Sequence, residues 1–367
     1  MKNICLYSEK WTSGGIESFL VNLVELLSKK YNFTIVTSQK ETNIYDEKLK
    51  ENNCKVITMN KSIIKNPIKR TIFSIINFKK TIEKGKYDIV HINMYNSIGL
   101  FYANLIKKKN LKIICHAHNT GIDNDKFYLK RITNFVVKQL FTKKKYIYLA
   151  CSYEAAAFCF KNKSEKLKII NNGIETEKFI FNMNKRKKIR KELNLLENDI
   201  VVGHVGRFVL QKNHIFLVDI FKDFLKIVPN SKLVLIGNGE TKDDIMKKID
   251  ELKIEKNTIL LENIKNVNEY MQAFDLFLFP SLYEGLGIVL IEAQASGLKC
   301  FASDTIPKNV KISDNLIFVS LSSSSKQWAN IMKDNIDYKR LNMLNIVKSN
   351  NFDRISIMKN MEEIYGW

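Results

Sequence analysis

The chain reads as an α/β protein made of two doubly wound, parallel-sheet domains, and three observations predict this. Short apolar runs of strand length alternate with amphipathic segments of helix length along nearly the whole sequence, the pattern that βαβ units produce. The alternation restarts after a charged stretch, Asn184 to Glu197. The 367 residues are also enough for two domains of ordinary size.

In the first series the strand-like runs are Lys2–Tyr7, Phe33–Thr37, Lys55–Thr58, Asp88–Asn93, Lys112–His116, Tyr146–Cys151 and Lys168–Ile170. Between the first two, Ile16, Phe19, Leu20, Leu23, Val24 and Leu27 recur at helical spacing. Ile72, Ile75 and Ile76 do the same beside the polar residues around Lys79. In the second series the runs are Ile200–Val205, Lys232–Ile236, Thr258–Leu261, Asp275–Phe279, Lys299–Ala302 and Leu316–Val319. The expected division is a first Rossmann-like domain over 1–180, a second over 181–350, and a closing helical segment over 351–367. Two such domains facing each other imply a central cleft.

Composition narrows the function classes. The 45% apolar content supports real cores, and four prolines and fourteen glycines leave no low-complexity tract. Cys5, Cys54, Cys115, Cys151, Cys159 and Cys300 show no C-x-x-C spacing and sit mostly in apolar runs, so they read as buried free thiols of a cytosolic protein. Met1 to Tyr7 is too short for a signal peptide, and the apolar stretch Ile147 to Phe160 is broken by Ser152, Tyr153 and Glu154. Net charge is +21, unevenly placed: residues 1–180 hold 32 Lys/Arg against 15 Asp/Glu, and residues 181–367 hold 27 against 23. A basic first half suits an anionic membrane surface, phosphorylated substrates or nucleic acid, or simply a solvated lysine-rich surface. Nucleic acid is disfavoured by the lack of zinc-finger spacing, RNP-like aromatics or a basic-zipper heptad.

The most informative segment runs from Pro280-Ser-Leu-Tyr-Glu-Gly-Leu-Gly to Ile288, Glu292 and Gly297. An apolar strand, Leu276 to Phe279, feeds a glycine turn that opens a helix. A helix start offers free N–H groups and positive dipole character, and glycines let a phosphate approach the backbone. With Glu292 about two turns into that helix, the two carboxylates of Glu284 and Glu292 lie roughly 10–12 Å apart. That is too far for a glycosidase pair at about 5–9.5 Å, and better suited to gripping two ends of a long ligand. Read blandly, the segment is a buried α/β turn with capping glutamates.

This string resembles the retaining, nucleotide-sugar-dependent glycosyltransferases of family 4, which have the GT-B fold, and the resemblance runs over nearly the whole chain. Ser303-Asp304-Thr305-Ile306-Pro307 and His116-Ala117-His118-Asn119 look like the bacterial capsule and exopolysaccharide branch. The resemblance implies that Arg207 and Lys212, with the backbone of Gly285, Leu286, Gly287 and Ile288, hold a nucleoside diphosphate. Fixed cations there stabilise the leaving phosphate without a metal. It implies Glu292 on the ribose, Glu284 on the sugar hydroxyls, and a strand-end His118 close to the donor sugar. Gly15 falls near the transferred sugar, and Gly14, His116 and Asn119 on the acceptor side. Gly237 and Asn263 fall at the nucleotide end, where Glu262 replaces a usual Gly and leaves the base open. Ser152 and Asn172-Gly173 fit the domain edge and hinge. The closing helix is expected to cross back to the first domain.

The remaining elements read more weakly. Gly14-Gly15 after the first strand brings backbone N–H groups near an anion, or is simply a tight βα turn. His116 and His118 lack a third ligand for a metal pair. Asp123-Asn124-Asp125 matches D-x-D but sits in a polar loop. The expectation is a cofactor- and metal-free transferase moving a sugar, most plausibly from a UDP-linked hexose or N-acetylhexosamine, to a lipid-linked oligosaccharide. It would act in the cytoplasm, peripheral on the inner face of an anionic membrane, with no nucleic-acid partner. The alternatives are a GT-B sugar-nucleotide epimerase and a basic nucleic-acid-binding protein.

Overall fold

The structure is a computed structural model that describes residues 1–60, 67–108, 110–121, 128–161, 167–171 and 173–366. It divides into two compact units: Met1–Gly173 with Arg354–Trp367, and Ile174–Asp353. The division thus falls at residue 173 rather than near 180. Ile174 forms a parallel bridge with Asp353 and donates its N–H to the Phe352 carbonyl, which places both chain crossings at one edge of the second unit.

The first unit carries strands β1 (Lys2–Trp11), β2 (Tyr31–Lys40), β3 (Lys55–Thr58), β4 (Ile89–Met94), β5 (Lys112–Ala117), β6 (Ile147–Ala150) and β7 (Leu167–Ile169). They form one parallel sheet in the order β3-β2-β1-β4-β5-β6-β7. Its helices are α1 (Gly15–Leu27), α2 (Asp46–Glu51), α3 (Pro67–Lys84), α4 (Ile98–Leu105), α5 (Tyr128–Phe141) and α6 (Tyr153–Cys159). Strands such as β4 are buried along their whole length, as both faces of a parallel sheet require. β1 and β2 outrun the apolar signal: past Tyr7 the chain turns polar, yet pairing continues to Trp11 opposite Lys40, and Trp11 is fully buried.

Helix α3 corrects the apolar stripe read from sequence. Ser74, Phe78 and Ile82 face the sheet, with Phe78 packed edge-on against Tyr7 and Tyr102, while Ile72 and Ile76 are exposed. The other face of the sheet is covered by α1 and by the last helix, α15 (Arg354–Gly366). Ile357, Met361, Ile364 and Tyr365 of α15 join Ile4, Leu20, Val24 and Phe33 in one core. Lys2 Nζ donates to the Tyr365 and Gly366 carbonyls at 2.9 and 3.0 Å, and Lys112 Nζ to that of Ile364 at 3.0 Å. Two cations therefore satisfy the negative end of that helix.

The second unit carries β8 (Ile200–Val205), β9 (Ser231–Ile236), β10 (Thr258–Leu261), β11 (Leu276–Phe279), β12 (Lys299–Ser303) and β13 (Leu316–Val319), in the order β10-β9-β8-β11-β12-β13. Its helices are α7 (Thr176–Phe179), α8 (Met183–Glu192), α9 (His214–Ile227), α10 (Lys242–Glu251), α11 (Val267–Ala273), α12 (Ile288–Ala295), α13 (Ser325–Lys333) and α14 (Leu344–Ser349). Most of the charged stretch that precedes the second series is helix α8, docked by its arginines. Arg186 and Arg190 bind the Asp275 carboxylate at 2.7 and 3.3 Å and reach the carbonyls that close α11. All six cysteines are buried and none forms a disulfide. Among the described residues no helix is long and apolar enough to cross a membrane.

Candidate functional site

A doubly wound sheet leaves a crevice where successive crossovers leave a strand in opposite directions, at the carboxyl ends of the strands. In the second unit that point lies between β8 and β11, and the loops leaving these strands are bonded to each other. Gln211 Nε2 donates to the Tyr283 carbonyl at 2.8 Å, Leu282 N–H to that of Gln211 at 2.8 Å, and Asn213 Nδ2 to that of Pro280 at 3.1 Å. From the β12 side, Ser303 and Thr305 hydroxyls donate to the Ser281 carbonyl at 2.5 and 3.2 Å. Asn213 holds φ +56°, the left-handed conformation that Asn tolerates, so the chain turns sharply into α9.

Between the two loops, Lys212 Nζ lies 2.7 Å from Glu284 Oε1 and 4.6 Å above the Phe279 ring. Both side chains are largely buried. The sequence names both residues as ligand contacts; the structure adds that they bind one another. Arg207, just after β8, is exposed, and its side chain takes no partner among the described residues. The backbone over Gly285, Leu286 and Gly287 is buried, and Gly287 caps α12 with φ +83°, a conformation a side chain would strain. Only the last of these residues adjoins helix: α12 begins at Ile288, so Glu292 sits just over one turn in, not two. The glycine loop is non-helical because Gly287 turns left-handed.

Glu292 is partly exposed, yet desolvation pushes its carboxyl up to about 8, and its side chain takes no partner among the described residues. A carboxyl so placed is ready to accept hydroxyl donors that restore its ionised form. Gly237 closes the site's third side. A Cβ there would meet the Gly206 carbonyl oxygen at 1.9 Å, so the loop after β9 rests directly on the loop after β8. Asn263, exposed with φ +56°, follows Glu262, whose carboxylate pairs with Lys242 at the start of α10.

The first unit has its own switch point, between β1 and β4, and it is filled differently. Glu17 is fully buried at the start of α1, where its carboxylate accepts from Gly14 N–H (3.0 Å), Thr12 Oγ1 (3.2 Å) and Tyr95 OH (3.1 Å). The expectation that Gly14 offers its N–H to a ligand anion is therefore corrected: a carboxylate from the same helix already occupies it. Gly15 stays exposed at the helix start.

Behind this loop lie three histidines. His91 Nδ1 bonds Tyr365 OH at 2.8 Å and its Nε2 bonds His116 Nδ1 at 3.2 Å. His116 is fully buried and stacked on His91, so this acceptor-side candidate is a core residue. Asn93 Nδ2 donates to the Tyr7 and His91 carbonyls, which leaves its Oδ1 to accept from His118 Nε2 at 3.0 Å. His118 thus carries its proton on Nε2, and its buried Nδ1 lone pair has no partner among the described residues. Burial drives His91 and His118 down to about 3, so both are neutral at physiological pH. Asn119 turns inward on its own loop, donating to Gly121 and accepting from Thr120 N–H. Ser152 caps α6 through Ala155 N–H. Asp123-Asn124-Asp125 and Asn172 lie outside the described residues.

Sequence reasoning missed Gln211, Asn213, Glu17, Asn93 and the His204–His214 pair, whose rings sit 4.7 Å apart, both held neutral by burial. Only Glu17 left a local signal, a glutamate three residues past the helix start as in a capping box.

The two halves match two protein families. Residues 13–178 match the family described as Glycosyltransferase Family 4, and residues 185–341 that of Glycosyl transferases group 1. The UDP-Gal:alpha-D-GlcNAc-diphosphoundecaprenol alpha-1,3-galactosyltransferase of Escherichia coli is 26% identical over 360 residues, 91% of each chain. The capsular polysaccharide biosynthesis glycosyltransferase CapH of Staphylococcus aureus is 27% identical over 363 residues, 96% of this chain and 95% of its own. Among solved structures, Anabaena Alr3699/HepE in complex with UDP and glucose superposes over all of both chains with a TM-score of 0.80 at 19% identity, a likeness of fold.

Proposed function

We propose that this chain, which belongs to the family 4 and group 1 glycosyltransferases, moves a hexose or N-acetylhexosamine from a UDP-sugar to a lipid-linked oligosaccharide with retention of configuration. The observation that carries the site is the joined pair of loops after β8 and β11, which sets Lys212 on Glu284 beside the glycine-opened start of α12. Arg207 and Lys212 neutralise the diphosphate, the first N–H groups of α12 receive a phosphate oxygen, Glu292 takes the ribose hydroxyls, and Glu284 orients the sugar. A relative that uses a UDP-sugar and a diphosphoundecaprenol acceptor supports the choice of both substrates. The basic residues of 1–180 fit a protein working at an anionic membrane surface.

In this reading the bond from the anomeric carbon to the β-phosphate oxygen breaks as the acceptor hydroxyl oxygen bonds the same face of that carbon. The acceptor proton passes to the departing phosphate, and the electron pair stays with UDP. Cations held in place before the bond breaks stabilise the developing charge at no reorganisation cost, so no metal is assigned to the step.

The experiment is to incubate the protein with UDP-hexoses and a polyprenyl-diphosphate-linked sugar and read the linkage by NMR. An α-linked product from the α-linked donor is expected. Free UDP with an isomerised sugar and no change in the acceptor would mean an epimerase instead.

A further inference from the structure

Helix α5 carries a row of apolar side chains on its outward face. On the inward side Asn134 accepts from Ser97 N–H at 2.7 Å and donates to the Phe158 carbonyl, Lys138 donates to that of Ala157, and Phe141 packs edge-on against Phe101. Its apolar stripe, Ile132, Phe135, Val136 and Leu140, is spaced to share one helix face, opposite Asn134. These four are 43%, 60%, 44% and 65% exposed. Helix α3 shares the outward stripe: Ser74, Phe78 and Ile82 face inward, while Ile72, Phe73 and Ile76 are 51–57% exposed on the opposite side. Both helices pack against α4 between them, and right-handed crossovers put all three on one face of the sheet. In chain order α3 follows β3, α4 follows β4 and α5 follows β5, the strand that leads into His118.

The charge around these stripes selects the partner. Residues 67–145 hold 17 Lys/Arg and 4 Asp/Glu. Exposed lysines stand at Lys79, Lys80, Lys107, Lys108, Lys144 and Lys145, and the one acid of α3 and α5, Glu83, is within 3.8 Å of Lys79. Exposed apolar side chains rimmed by lysines match the two parts of an anionic bilayer, its acyl boundary and its headgroups.

We infer that α3 and α5 form a paired membrane-docking surface that lays the first unit on an anionic lipid bilayer, with Ile72, Phe73, Ile76, Phe135, Val136 and Leu140 inserted at the acyl boundary. The inference rests on the lipid-linked acceptor assigned above. An acceptor held in a bilayer is met by a surface of the same unit that carries His118.

Sedimentation with vesicles of phosphatidylcholine alone, or with about 30% phosphatidylglycerol, tests this on the full chain. Wild type should bind the anionic vesicles at least about tenfold more tightly than the neutral ones. Phe135→Glu/Leu140→Glu and Ile72→Glu/Ile76→Glu should each lose roughly tenfold or more. Lys144→Gln/Lys145→Gln should lower the anionic preference alone. UDP binding and the thermal midpoint serve as controls and should stay unchanged in every variant. Equal vesicle binding by wild type and the glutamate variants overturns the docking surface. So does a wild-type dimer that Phe135→Glu converts to monomer, since a second copy would then cover the stripe. If vesicle binding fails while UDP still binds, the surface falls and the transferase reading stands; if UDP fails to bind while vesicles bind, the reverse holds.

Discussion

The two sheets share one six-strand order, to which the first adds β7, yet their switch points carry different side chains at the helix start. Beside β8 and β11 the helix start at α12 is opened by a left-handed glycine, Lys212 pairs with Glu284 in the loop before it, and Arg207 stands exposed just after β8. Beside β1 and β4 the helix start at α1 is already closed by the buried carboxylate of Glu17, with neutral histidines behind it. In the function proposed above the first of these crevices takes an anion, whereas the second has neutralised its own positive end. Fold alone therefore does not place a phosphate; the side chains at the helix start decide it.

The largest expected effect follows from that difference. Arg207→Ala and Lys212→Ala should each lower kcat/KM by about 100- to 1000-fold, the scale of losing one preorganised charge donor, with little change in the thermal midpoint for the exposed Arg207. Steady-state rates of UDP release in the presence of acceptor check this, and near-normal rates for both variants would sink the assignment.

Next comes the closed helix start. Glu17→Ala removes three accepted hydrogen bonds from a buried site and should cost about 2–3 kcal/mol of stability. Denaturant unfolding measures it. If this variant instead gains affinity for inorganic phosphate with no loss of stability, the two switch points are more alike than claimed.

A smaller effect belongs to the histidine relay. Tyr365→Phe deletes the hydroxyl on His91 Nδ1 and should cost about 1 kcal/mol while leaving UDP affinity untouched. A loss of UDP affinity would tie the closed crevice to the donor.

The subtlest prediction concerns Glu292. Its folded carboxyl is raised to about 8 while the unfolded value is ordinary, so the folded state holds an extra proton between the two. Stability from this group is therefore greatest below the unfolded value and falls as pH rises from about 4.5 to 8. Nucleotide hydroxyls donating to the carboxylate should release that proton. Calorimetry of UDP binding near pH 7, in buffers of different ionisation enthalpy, should show net proton release for wild type and none for Glu292→Gln.

Much of this was legible in the sequence, for a physical reason. Each of the thirteen strands among the described residues overlaps an apolar run that marks it, most clearly the central ones such as β4 and β11, which are buried along their whole length and so must be apolar throughout. The string around Glu284 and Glu292 marks its own strand, turn and helix. What stayed hidden depends on partners distant in sequence. Lys212 and Glu284 are 72 residues apart, and Arg190 of α8 answers to Asp275, 85 residues away, so the sequence showed only a charged stretch there. The same limit misplaced α3: its apolar spacing was visible, but only the packed sheet shows that Ser74 and Phe78 face in and Ile72 and Ile76 out.

The most direct test of the account is UDP binding by calorimetry to wild type, Arg207→Ala and Tyr365→Phe. The account predicts a dissociation constant raised at least about tenfold for Arg207→Ala, as for a lost charge-assisted bond, and unchanged for Tyr365→Phe. Equal affinity in wild type and Arg207→Ala would contradict the claim that the crevice between β8 and β11 holds the diphosphate.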